Sequence, residues 1–264
     1  EYPMEKRALP SPGLFLALAF SLPLLFAVLR TRAEDGTLRL LLYGLQAAGP
    51  SLAALAAAAR GGELVPFLAR QLRARGALAA GLIPFAAALA AMAAARGLSC
   101  ALTGEAFAVR GVTPAQGLVI LWALAAEELG WRGYLHPLLR SSMGRPALAP
   151  LAVGLIWGLW HYHYVLFDGM RVPLVWFFLG CVAESCLYGY FLDRSGGNLL
   201  SAMSYHCSWN LFVHVFAIQP ADNGGDPLPY VILTVLELMA DCLVLAAGRP
   251  RGAPPSVYSP FTEN

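Results

Sequence analysis

The chain is short of charged residues. Only 13% of its 264 residues are Asp, Glu, Lys or Arg, whereas about 25% is typical of soluble globular domains. Hydrophobic residues make up 58% of the chain, and the mean hydropathy is +0.60. The formal net charge is only +2 and no basic tract is present, so a nucleic-acid partner is not indicated. The shortage of charge favours an integral membrane protein in contact with lipid.

The chain also lacks paired cysteines. Its five cysteines form no CxxC pair, so the sequence predicts neither a disulfide framework nor a thiolate zinc site. The HExxH pattern, which places two zinc-binding histidines on one helix, is absent as well. We therefore interpret the cysteines as small buried residues.

Long apolar blocks dominate what is present. Each has close to the ~20 residues that a membrane-spanning helix needs. The blocks are 11–30, 38–59, 77–96, 115–139, 147–167, 172–192, 197–217 and 228–247. They predict an all-α fold, a polytopic bundle of about eight transmembrane helices, in one membrane domain over residues 1–264.

Two segments differ from these blocks. Segment 60–76 interleaves arginines with apolar residues, which predicts either a short amphipathic helix on the headgroup surface or a plain solvated connection. Segment 249–264 is rich in proline, which predicts a flexible tail.

The distribution of basic residues predicts the orientation in the membrane. With both termini in the cytoplasm, eleven Lys and Arg residues fall on the cytoplasmic side and six on the other, which agrees with the positive-inside rule. The eleven are Lys6, Arg7, Arg60, Arg70, Arg73, Arg75, Arg140, Arg145, Arg194, Arg249 and Arg251. The six are Arg30, Arg32, Arg39, Arg96, Arg110 and Arg171.

An acidic pair interrupts the fourth block. Glu127 and Glu128 lie inside the apolar run, and Arg132 follows one helical turn later. Each carboxylate at that depth costs roughly 2.5 to 3.5 kcal/mol on insertion scales, so the pair marks a candidate functional site. Glu128 and Arg132 share a helical face and are predicted to form an ion pair. Glu127 lacks that partner, which favours a general base; the structural alternative is a hydrogen bond between helices.

Imidazole and amide groups recur in two later blocks. Trp157 and His161 are four residues apart, as are His206 and Asn210. Histidines in helical bundles commonly form interhelical hydrogen bonds, but imidazole and carboxamide also polarise a water or a carbonyl oxygen. Glu127, His161 and His206 are in addition candidate ligands for a divalent metal such as zinc. Their spacing leaves the metal undecided.

Further polar residues in the blocks have no role that spacing assigns. His163 is predicted to lie at the membrane interface, on the face opposite His161. His214 continues the helical face of His206 and Asn210 and is a candidate for the same cavity. Three carboxylates are predicted either to line a water-filled path to the site or to form bundle hydrogen bonds, and they are Glu184, Glu237 and Asp241.

The three motifs together resemble the CPBP family of CAAX prenyl proteases and bacteriocin-processing enzymes. They are Glu-Glu-x-x-x-Arg at 127–132, aromatic-x-x-x-His at 157–161 and His-x-x-x-Asn at 206–210, in the order seen in that family. The part that carries them runs from about 121 to 212. One position departs from the family pattern, because the second motif generally begins with Phe and here begins with Trp157.

The resemblance implies a glutamate-dependent intramembrane endopeptidase. The family is usually called metal-dependent, but a glutamate–histidine mechanism without a catalytic metal is also argued. Glu127 and His161 would activate a water, and His206 and Asn210 would stabilise the oxyanion. Glu128, Arg132 and Trp157 would support the site. The implied substrate is a membrane-associated peptide, for example a prenylated or leader peptide.

Two other functions remain open at this point. A non-catalytic scaffold or immunity protein would keep the same helices. An ion or small-molecule carrier would use the carboxylates in the spans as a path, but the internal repeat common in carriers is not evident.

Overall fold

The computed structural model describes residues 12–72, 76–170 and 172–246, and this part of the chain is helical without any strand. The predicted all-α fold is confirmed. The α-helices are α1 (Pro12–Arg32), α2 (Gly36–Ala47), α3 (Gly49–Arg60), α4 (Leu64–Ala69), α5 (Ala77–Thr103), α6 (Pro114–Ala126), α7 (Glu128–Gly130), α8 (His136–Ser142), α9 (Ala149–Trp160), α10 (Tyr162–Phe167), α11 (Leu174–Arg194), α12 (Leu200–Val215) and α13 (Leu228–Ala246). A π-helix spans Trp131–Leu135, and 3₁₀ turns span Pro146–Leu148 and Pro220–Asp222.

Four helices in the described ranges are long and apolar enough to cross a membrane: α1, α5, α11 and α13. A fifth crossing results if α2 and α3, which meet at an angle of 63°, are taken as one broken span. The chain therefore has several apolar helices of spanning length, while the predicted number of eight is not confirmed.

The helix predicted over 115–139 is interrupted where the acidic pair lies. Helix α6 starts with a capping box of Thr113 and Gln116 and ends at Ala126. Glu127 follows with φ −121° and ψ −43°, outside helical geometry, and the π-helix begins four residues later. The expectation of one continuous helix was wrong, because an apolar run records burial in lipid and not backbone continuity. π-Helical turns occur frequently at functional sites.

Two other predicted blocks are also broken. Block 38–59 bends at Ala48, between α2 and α3. Block 147–167 is divided at His161, which follows α9 and precedes α10. Hydropathy alone does not reveal such breaks, because the residues on both sides remain apolar.

Glycines bring the broken segments close to their neighbours. A Cβ atom on Gly130 would lie 2.4 Å from the carbonyl oxygen of Pro50, so α7 packs directly against α3. A Cβ atom on Gly154 would lie 2.7 Å from Cα of Val182, so α9 packs against α11 in the same way. These contacts fix the segments that carry the acidic pair and His161 against the rest of the bundle.

The two remaining predicted segments are described only in part. Within segment 60–76 the structure has the six-residue helix α4, in which Phe67 is buried and Val65 is exposed. Residues 73–75 and the predicted tail 249–264 lie outside the described residues. The single domain over 1–264 stays a prediction.

Candidate active site

A cavity of about 990 Å³ lies inside the bundle. Its wall includes all four residues predicted to be catalytic, namely Glu127, His161, His206 and Asn210. They come from the break after α6, the break after α9, and the middle of α12. Residues up to 83 positions apart in sequence thus face one volume, which is large enough for a peptide segment.

Glu127 receives a hydrogen bond from the indole of Trp157. The Nε1 atom of Trp157 donates to Oε2 of Glu127 over 2.8 Å. Both side chains are buried, with 7% of Glu127 and 5% of Trp157 exposed. The other oxygen of Glu127 has no hydrogen bond to any residue that the structure describes. The indole therefore fixes one carboxylate oxygen and leaves the second for a molecule in the cavity.

Glu128 has a different environment although it is the next residue. Its Oε1 accepts a hydrogen bond from Nη1 of Arg132 at 2.9 Å, so the predicted ion pair is present. The same Oε1 lies 2.8 Å from Nδ1 of His206. Glu128 is fully buried. The pairing of His206 with Glu128 was not predicted, because it joins segments 78 residues apart.

Arg132 is held between two aromatic rings. Its guanidinium carbon lies 3.8 Å from the centre of the Tyr188 ring and 4.7 Å from that of Trp157. Only 1% of the residue is exposed. Cation–π contacts of this kind are stronger when the cation is desolvated. Arg132 therefore both stabilises Glu128 and packs against the aromatic side chains of the site.

The hydrogen bond of His161 determines its tautomer. Its Nδ1 lies 2.7 Å from the carbonyl oxygen of Trp157. Because a carbonyl oxygen can only accept, Nδ1 carries the proton and Nε2 of the neutral ring is an acceptor. The ring also packs edge-on against Phe177, with the centroids 5.0 Å apart. His161 thus offers a lone pair that can accept a proton from a water.

His206 and Asn210 face the cavity from one side of α12, as their spacing predicted. Since Nδ1 of His206 donates to the Glu128 carboxylate, Nε2 of His206 is the nitrogen left for a ligand. When the ring is an imidazolium, Nε2 is a donor beside the Asn210 amide.

The side chains suggested for a metal are not gathered into a metal site. In the described ranges, no group of three or more His, Cys, Asp and Glu residues is placed to hold a metal ion. One atom each of Glu127, His161 and His206 is already engaged by Trp157, the main chain and Glu128. Each of the three keeps a second donor atom, so it is the placement of the side chains, and not these hydrogen bonds, that does not fit a zinc-like ion.

The other polar residues take varied positions. His163 is fully buried, and its Nδ1 lies 2.8 Å from Nε2 of Gln46; its position at the membrane interface stays a prediction. His214 lines the cavity and lies 2.9 Å from Oδ2 of Asp222. Glu184 lines the cavity too, whereas Glu237 and Asp241 are buried behind it on α13.

One wall of the cavity is apolar and reaches the surface of the bundle. Leu41 of α2 and Leu118 of α6 line the cavity, yet 61% and 60% of them are exposed. Trp122 of α6 donates a hydrogen bond to the carbonyl oxygen of Gly44 in α2 at 2.9 Å. Because exposed apolar side chains of a membrane bundle face lipid, this side of the cavity, between α2 and α6, is suited to contact with acyl chains.

Comparison with curated proteins gives no match. Residues 109–212 match the family model described as type II CAAX prenyl endopeptidase, Rce1-like. The matched segment covers less than half of the chain but contains all three motifs and every predicted site residue. The apolar helices indicate an integral membrane protein, and the match relates residues 109–212 to a family of peptide hydrolases. The resemblance predicted from the three motifs is thereby confirmed, and residues 109–212 carry the pattern of the Rce1-like type II CAAX prenyl endopeptidases.

Proposed function

We propose that the protein is an intramembrane endopeptidase that hydrolyses a peptide bond of a membrane-associated, prenylated substrate. The observation that carries this proposal is that Glu127, His161, His206 and Asn210 line one cavity. The family match of residues 109–212 supports the substrate class. The apolar wall toward α2 and α6 suits a prenyl chain entering from the bilayer.

In this mechanism Glu127 is the general base. Its unengaged carboxylate oxygen takes a proton from a water, while the Nε2 lone pair of His161 accepts the second O–H of the same water and orients it. The water oxygen adds to the carbonyl carbon of the scissile bond, and the carbonyl oxygen takes up the negative charge. Glu127 then transfers its proton to the leaving amine nitrogen as the C–N bond breaks.

The oxyanion is stabilised from α12. The Asn210 amide and Nε2–H of the His206 imidazolium donate to the developing charge, as in other oxyanion sites. Glu128 holds His206 through Nδ1 and compensates its positive charge. Arg132 keeps Glu128 in place, so neither Glu128 nor Arg132 needs to contact the substrate.

The test is cleavage of a farnesylated C-a-a-X peptide by the purified protein in detergent or nanodiscs. Wild-type protein should release the peptide product, and Glu127→Ala should lower the rate by about 10²- to 10⁴-fold, as loss of a general base does. The melting temperature of Glu127→Ala should remain close to that of the wild type. Near-normal turnover by Glu127→Ala would refute the assignment, and a folded wild type that cleaves no peptide would favour a non-catalytic scaffold.

A further inference from the structure

Glu184 is a buried carboxylate to which the proposed mechanism gives no task. It lies on α11, only 4% of it is exposed, and it lines the same cavity as Glu127. It has no hydrogen bond or ion pair with any residue in the described ranges. A carboxylate that is buried without a partner is costly, so a ligand that supplies the partner would be bound favourably.

The position of Glu184 relates it to the catalytic residues. Phe177, Cys181 and Glu184 follow one another on one face of α11, and all three line the cavity. Phe177 packs on the ring of His161. Seven residues of helix rise about 10 Å, which is the length of roughly three residues of extended peptide. Glu184 is thus within reach of a side chain close to the scissile bond.

A hydroxyl group stands beside this carboxylate. A Cβ atom on Gly180 would lie 3.1 Å from the Tyr230 hydroxyl, 3.6 Å from the Thr234 hydroxyl and 3.8 Å from Oε1 of Glu184. Tyr230 also lines the cavity. Three oxygen atoms from α11 and α13 therefore lie around the same point, next to Gly180.

The acidic residues around Glu184 favour a cation. Carboxylates outnumber guanidinium groups in this part of the bundle interior, and Arg132 is already paired with Glu128. The buried acidic residues are Glu127, Glu128, Glu184, Glu237 and Asp241. An entering positive charge would favour the ionised form of such a carboxyl group, and the attraction between the two charges is strong in a medium of low dielectric constant.

We propose that Glu184, with the Tyr230 hydroxyl beside it, forms a subsite that binds a positively charged side chain of the substrate. The subsite rests on the proposed function only in taking the cavity as the place where substrate binds. It makes substrate selection depend on charge as well as on the apolar wall.

The test uses farnesylated peptides that carry lysine, norleucine or glutamate at each position within three residues of the scissile bond. Wild-type protein should favour lysine over norleucine at one position by about tenfold in kcat/KM, the size expected for one charge-assisted hydrogen bond. Glu184→Gln should cleave the norleucine peptide as the wild type does and should lose the preference for lysine. The control is Glu105→Gln, which alters a half-exposed carboxylate that pairs with Arg96 and does not line the cavity, and it should retain the preference.

Two results would overturn the subsite: a wild type without a preference for lysine at any position, or a Glu184→Gln variant that keeps it. If Glu184→Gln does not fold, Tyr230→Phe is measured instead. This variant should weaken the preference for lysine, and an unchanged preference would refute the subsite. Binding of the labelled peptides to wild type and Glu184→Gln is measured by fluorescence anisotropy in parallel. If the wild type binds the lysine peptide more tightly but cleaves no peptide, the protease proposal is refuted and the subsite is supported. Equal binding of the lysine and norleucine peptides would refute the subsite.

Discussion

Trp157→Phe tests whether the hydrogen bond from the indole to Glu127, and not the packing of the aromatic ring, is needed for activity. The substitution removes the indole N–H that donates to Oε2 of Glu127 at 2.8 Å and leaves an aromatic ring in the wall. Hydrogen bonds to charged groups contribute about 1.5 to 3 kcal/mol. Because Glu127 faces the cavity, water can replace part of this interaction, and the lower limit applies. We expect kcat to fall about tenfold while KM changes little.

The control for this substitution is on the same helix. Trp160 is fully buried, and its Nε1 donates at 2.9 Å to the carbonyl oxygen of Ala19, away from the acidic pair. Trp160→Phe removes an equivalent N–H and should lower the melting temperature without lowering kcat.

The measurements are kcat and KM on a prenylated peptide and the melting temperature of each variant. A Trp157→Phe enzyme with wild-type kcat would refute the reasoning, and so would an equal loss of kcat in Trp160→Phe. Since phenylalanine generally begins the second motif in the CPBP family, Trp157→Phe is expected to fold.

Asn210→Asp should lower kcat by about 10²- to 10³-fold with little change in KM, because a carboxylate in place of a donor amide repels the oxyanion. The control is Asn223→Asp, which alters an amide that donates to the main chain of a connecting loop and should leave kcat unchanged. Metal analysis of the same preparations would contradict the oxyanion role if a bound metal were lost together with activity. Arg132→Ala should destabilise the protein by about 3 to 5 kcal/mol, since it leaves the Glu128 charge buried without its guanidinium. Arg140→Ala breaks a more exposed pair with Asp193 and should lower the free energy of unfolding by about 0 to 1 kcal/mol. Equal losses of stability in the two variants would show that the buried pair stabilises the protein no more than the exposed one.

The composition predicted the helical class, and the motifs predicted four of the residues that line the cavity. Helical spacing was sufficient for the ion pair of Glu128 and Arg132 and for the common face of His206 and Asn210. These are relations within one turn of a helix, where sequence separation determines distance.

Relations between segments were beyond the same reasoning. The hydrogen bond from Trp157 to Glu127 and the contact of His206 with Glu128 depend on how helices are packed. The backbone breaks at Ala48, Glu127 and His161 were missed because apolar residues continue through them. The adjacent carboxylates were a signal for the break at Glu127. In a continuous helix both of them would need partners inside the bundle.

The break at Glu127 explains how two neighbouring carboxylates acquire different tasks. In a continuous α-helix their side chains would differ by about 100° around one axis. Instead, Glu127 lies at the end of α6 with a non-helical backbone, while Glu128 begins the segment that leads into the π-helix. Glu128 meets Arg132 and His206, and Glu127 meets the indole of Trp157 and the cavity. Cationic partners hold Glu128 as a carboxylate, whereas Glu127 has a neutral donor and an open face, which is the environment that a reversible proton acceptor requires.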